Sequence, residues 1–69
     1  MTRVILEVRG MERPEQVEKV LNAIKKLEGV GGVQPADTEQ LEVEYDPHLL
    51  TVVDLIRVAR EQGFLAGML

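Results

Sequence analysis

Pro14-Glu15-Gln16-Val17-Glu18-Lys19-Val20-Leu21-Asn22-Ala23-Ile24-Lys25-Lys26-Leu27-Glu28-Gly29 is the stretch that decides the fold. Val17, Val20, Leu21, Ile24 and Leu27 follow the i, i+3, i+4, i+7, i+10 spacing of one buried helical stripe. Pro14 suits a first helical turn because its φ is fixed and its missing N–H would have no partner there. Glu15 adds favourable charge at that end, and Glu15 with Lys19 makes an i, i+4 pair of the favourable polarity on the wet side. Gly29 is expected to stop the helix by offering a left-handed position just beyond it.

Outward from this helix the chain alternates. Upstream, Thr2-Arg3-Val4-Ile5-Leu6-Glu7-Val8 reads as a strand with Val4, Leu6 and Val8 on one face and Arg3, Ile5 and Glu7 on the other. Arg9-Gly10-Met11-Glu12-Arg13 is the loop between the two elements. Downstream, Val30-Gly31-Gly32-Val33-Gln34-Pro35-Ala36 makes a poor strand, and Pro35 confines it to a sheet edge if it pairs at all. Asp37-Thr38-Glu39 is a polar turn, and Gln40 to Tyr45 alternates strictly, with Leu41, Val43 and Tyr45 inward and the glutamates outward. Asp46-Pro47 breaks that pattern. Thr51 with Asp54 forms a weaker capping box for a second helix, in which Val52, Leu55, Ile56 and Ala59 share a face and Gly63 marks the end. Phe64 to Met68 is long enough for a last short strand.

The order β-α-β-β-α-β predicts an α+β fold: a ferredoxin-like βαββαβ sandwich, its four-stranded antiparallel sheet carrying two helices on one face. The second and fourth strands are then the edges. The expected core is Val4, Leu6, Val8, Val17, Val20, Leu21, Ile24, Leu27, Leu41, Val43, Val52, Leu55, Ile56 and Phe64.

Sixty-nine residues make a single domain, 1–69, that buries only about 60% of its unfolded surface. The absence of cysteine excludes disulfides, thiolate metal sites, iron–sulfur clusters and thiol nucleophiles. Apolar groups are short, and Glu7 interrupts any leader-like run, so a soluble cytoplasmic protein without a membrane span is the expectation. The net charge of −4 and the single Tyr and Phe argue against nucleic-acid binding, which needs a basic footprint and stacking rings. Enzyme chemistry has no support: the one histidine, His48, has no serine or cysteine to serve, and no glycine-rich phosphate loop follows a strand.

Particular residues carry a resemblance. Val8-Arg9-Gly10-Met11 is similar to the V-x-G-M that leads into the metal loop of heavy-metal-associated, copper-chaperone-like domains, which continue G-M-T-C-x-x-C into an apolar-periodic helix. Lys25-Lys26-Leu27-Glu28-Gly29-Val30 looks like that family's helix end. Tyr45-Asp46-Pro47, Thr51-Val52, Leu55-Ile56 and Glu61-Gln62-Gly63-Phe64 resemble its later motifs, in order and at matching spacing. The resemblance covers nearly the whole chain and fails at one place: the two cysteine positions fall on Arg13 and Gln16. Arginine has no lone pair to give and repels a cation, and Gln16 offers only a hard carbonyl, so neither suits Cu(I).

The resemblance implies a degenerate heavy-metal-associated module that carries no soft metal and no cofactor. Such a module would act as a protein-interaction or self-association unit, with Arg9, Arg13 and Gln16 as the docking surface or, alternatively, an anion-receiving one. The family pattern also has Met11 packing beneath the loop. A second reading is weak binding of a divalent metal through Glu12, Glu15 and His48 or across a homodimer. A third is a small-molecule or anion-binding regulatory domain at Arg9 and Arg13, beside the helix N-terminus. Ile5, large and apolar on the wet face, hints at self-association.

Overall fold

β1 (Thr2–Arg9) occupies an interior position of the sheet, because its inward side chains Leu6 and Val8 are wholly buried and both its edges are paired. The computed structural model describes residues 1–68 and continues with α1 (Pro14–Lys25), β2 (Val30–Asp37), β3 (Gln40–Tyr45), α2 (Val52–Glu61) and β4 (Leu65–Met68). The four strands lie in the order β2-β3-β1-β4, every neighbour antiparallel. This is the expected ferredoxin-like sandwich, with β2 and β4 at the edges. Leu6, Val8, Leu41 and Val43 from the sheet meet Val20 and Ile24 of α1 and Leu55 and Ala59 of α2, all fully buried.

The register explains why the edges tolerate their sequences. In an antiparallel pair, alternate residues aim both backbone groups at the partner strand. Val8 donates its N–H to the Glu39 carbonyl at 2.8 Å, so the even residues of β1 face β3 and the odd ones face β4. Carried across β3, the same alternation aims the backbone of Val33 and Pro35 away from the sheet. Pro35 therefore lacks a donor at a place where no ladder bond is missed. Gly31 and Ala36 are extra residues in β2, where the register shifts against β3. These bulges let β2 run a residue past Ala36, to Asp37, despite its glycines.

Three details differ from expectation. α1 ends at Lys25 with Lys26 as its cap, before Leu27, whose N–H tightens onto the Ile24 carbonyl. Gly29 does take a left-handed φ of 105°, but in the turn that launches β2. Val4, Val17, Leu21, Leu27, Val52, Ile56 and Phe64 are half-buried around the core, while Tyr45, Ala59 and Ala66 lie within it. Ala66, small and outside the apolar periodicity, is buried as well. Among the described residues no helix is long and apolar enough to cross a membrane.

Thr51 caps α2 as expected. Its N–H and hydroxyl donate to Asp54 Oδ2 at 2.8 and 3.1 Å, and its Oγ1 accepts the Asp54 N–H at 3.3 Å. The bond from the Thr51 backbone, then that from its hydroxyl, hold the Asp54 carboxyl below the ordinary aspartate range. A lowered carboxyl adds stability above its unfolded pKa, near 4, and loses it as pH falls through the lowered value. Asp54→Asn is therefore less stable than the parent at pH 7, and urea melts at descending pH show the gap narrowing below about pH 4.

Candidate functional site

The chain leaves β1 through Gly10, at a φ of 101° that other residues rarely adopt. A Cβ there would stand 3.2 Å from Phe64 Cδ1, so the loop rests its backbone on that ring. The β2–β3 turn holds the same corner. Glu39, one of the two residues between the paired Asp37 and Gln40, sits at a φ of 59°, a strain of about 1 kcal/mol for a side chain with a Cβ. Its carbonyl takes the Val8 N–H, and its carboxylate takes the Gly10 N–H at 3.1 Å. Met11 follows, half-buried and packed against the core.

Arg13 is the N-cap of α1, in extended backbone, yet its side chain has no acceptor with which to cap. Gln16 supplies one. Its Oε1 accepts the Glu12 N–H at 2.8 Å and the Arg13 N–H at 2.9 Å, closing the loop onto the first helical turn. The Arg13 carbonyl in turn accepts the N–H groups of Gln16 and Val17 at 3.0 and 3.2 Å. The Arg13 guanidinium stands in solvent, 4.0 Å from the Glu15 carboxylate, a separation at which an exposed pair contributes little.

The residues singled out from the sequence do not gather into one site. Arg13 and Gln16 share the loop, with Glu12 and Glu15 beside them. Arg9 turns instead to the open sheet face, where its Nε donates to Glu7 at 3.0 Å. Each guanidinium of the expected Arg9 and Arg13 anion surface lies beside a carboxylate, Glu7 for Arg9 and Glu15 for Arg13, and Gln16 holds two loop amides. His48 lies at the opposite end of the sheet, in a turn where its N–H donates to Asp46 Oδ1 and the Asp46 N–H reaches the Gly29 carbonyl. The length of β1, about 20 Å, separates it from Glu12 and Glu15, so the ligand set Glu12, Glu15 and His48 is not assembled within one chain. Among the described residues no group of three or more histidines or carboxylates is placed to hold a metal ion.

The open sheet face is charged and largely self-paired. Arg3 Nε donates to Glu44 at 3.0 Å, and Gln34 donates to Glu42 at the same distance. The Glu44 hydrogen bond and charge, then the charge of Glu42, hold Arg3 still more firmly protonated. Ile5 is half-buried among these groups. Glu39 is the residue that sequence reasoning missed. Its signal was a two-residue connection without glycine or asparagine, which obliges an ordinary residue to take a positive φ.

Solved structures share this architecture closely. A copper-binding domain from a P-type ATPase superposes with a TM-score of 0.95 at 26% identity, covering 100% of this chain and 95% of that one. Oxidised MerP from Ralstonia metallidurans gives 0.90 at 29% identity, covering 97% and 94%. A yeast copper-transporter domain, solved in apo and Cu(I)-loaded states, gives 0.88 at 25% identity, covering 97% and 93%. No protein-family model matches the chain, and no curated protein sequence matches it. The resemblance read from the motifs holds in three dimensions: this is a copper-chaperone-like, heavy-metal-associated fold without the cysteine pair.

Gln16→Ala removes two hydrogen bonds, and urea unfolding is expected to show a loss of about 1–2 kcal/mol. Amide exchange at Glu12 and Arg13 speeds up, while the β1 amides keep their protection. Glu39→Gly relieves the left-handed strain and gives up the Gly10 bond, so its melting temperature changes little. Exchange at Gly10 rises all the same, and that separation of loop order from global stability is the measurement to make.

Proposed function

We propose that this chain is a degenerate heavy-metal-associated domain that acts in the cytoplasm as a small protein-interaction or self-association module, and that it carries no soft metal. The observation that carries this reading is the Gln16 side chain, whose oxygen accepts two backbone N–H groups of the loop. In the family pattern this stretch presents two thiolates to a metal. Here the loop is organised by amide hydrogen bonds, and a permanent cation stands at the other ligand position. A Cu(I) ion meets no thiolate and one repelling charge, and the one nearby thioether, Met11, is packed against the core.

What the loop still offers is a shaped, exposed surface. Glu12, Arg13, Pro14 and Glu15 stand outward on a backbone fixed by Gln16, Gly10 and Glu39. Beside them Pro14, Val17, Leu21 and Pro35 line an apolar groove between α1 and β2, edged by Glu18 and Lys25. A rigid polar loop next to an apolar groove suits protein docking, since little ordering entropy is lost on contact. The two other readings find less support. A chelating set within one chain would have to join groups about 20 Å apart, and an anion at the helix start would have to displace Gln16.

The test is a Cu(I) titration against a competing chelator, with the parent beside an Arg13→Cys/Gln16→Cys variant. The parent is expected to stay empty while the variant loads stoichiometrically, since the chain as a whole superposes closely on a copper-binding domain. Tight, stoichiometric loading of the parent would overturn the reading. For the interaction itself, a photo-crosslinker at Glu12 should capture a discrete partner, and Arg13→Glu should abolish that capture without changing the melting temperature.

A further inference from the structure

Each edge of the sheet is an unpaired row of backbone groups, and the two are protected differently. β2 is defended by its own backbone: bulges at Gly31 and Ala36 disturb its outline, and Pro35 removes one outward donor. β4 has no such device. Leu65-Ala66-Gly67-Met68 contains no charge, no proline and no bulge, and Leu65 and Met68 are 72% and 63% exposed. By the alternation set at Val8, Leu65 and Gly67 aim their backbone at β1, while Ala66 and Met68 aim theirs outward.

One side chain reaches that outward row. Arg60, in the last turn of α2, donates from Nε at 3.3 Å and from Nη2 at 3.1 Å to the Ala66 carbonyl. It is the acceptor that an added strand would need. We infer that Arg60 guards the outer edge of β4 against a second copy of this chain, which would otherwise add its own β4 as an antiparallel strand.

The occupant follows from self-complementarity. A twofold axis at Gly67 sets Ala66 of one copy opposite Met68 of the other, and their outward N–H and C=O groups then meet in both directions. Gly67 stands at the crossing point, where it offers no side chain to collide. Every part of this pairing is available in the parent except the Ala66 carbonyl. The same axis would bring the Arg60 guanidinium of both copies to one seam, where like charges repel. The guard thus works by occupying the acceptor and by charging the edge.

Arg60→Met retains an aliphatic stem and removes both the donors and the charge; Arg60→Ala is run beside it. Sedimentation across a concentration series, with circular dichroism to verify the fold, is the measurement. Both variants are expected to self-associate about tenfold or more tightly than the parent. Adding Met68→Lys to Arg60→Met places a new charge on the edge and should return self-association to the parent's level. Folded variants that associate no more tightly than the parent would overturn the inference. Loss of folding in both variants would also overturn it, by making Arg60 an anchor of β4 rather than its guard.

Discussion

Everything in this molecule hangs on the burial of one face of β1. Leu6 and Val8 are fully enclosed, and they fix which side of every neighbouring residue points inward. Once that parity is set, the pairings with β3 and β4 determine which backbone groups are spent inside the sheet and which remain at its margins. Pro35 is tolerated, Ala66 is left with an outward carbonyl, and Glu39 arrives beside Val8, all by the same alternation. A slip of one residue would move Arg3, Glu7 and Arg9 into the core and Leu6 and Val8 into water, so the register has no competitor.

The loop after β1 inherits its position from this frame. It rests on Phe64, is held from the side by Glu39, and is closed from below by Gln16. These contacts come from three separate parts of the chain. Heavy-metal-associated domains place two thiolates across this stretch. In this chain a neutral amide meets the unpaired N–H groups, and the adjacent guanidinium stands exposed beside the Glu15 carboxylate. The loop stands in a fold shared with copper-binding domains, and the two thiolates of the family pattern are replaced in it by Arg13 and Gln16.

Much of the fold was legible because it rests on periodic patterns. The stripe from Val17 to Leu27, the alternation of Leu41, Val43 and Tyr45, and the Thr51–Asp54 box each named an element, and each stands where it was expected. The end of α1 was less legible, since Leu27 continues the stripe although the helix has already closed at Lys25. Ala66 tells the same story, because a residue so small carries little weight in an apolar pattern and is buried all the same. At the site, the motif alignment located Arg13 and Gln16 and could say what they would not bind. What Gln16 does bind was beyond it, since a side chain reaching back to two backbone groups has no period. Glu12, Glu15 and His48 were grouped by chemistry alone, and sequence carries no measure of the sheet length that divides them.

The closure of the loop by Gln16 also bears on when this surface is present. A thiolate pair is sensitive to oxidants and empties or fills with the supply of its ion, so a docking face built on it is conditional. Amide hydrogen bonds at this corner respond to neither. The backbone around Arg13 is therefore held by hydrogen bonds in which no thiol takes part, so its shape does not hinge on the redox state of a cysteine pair.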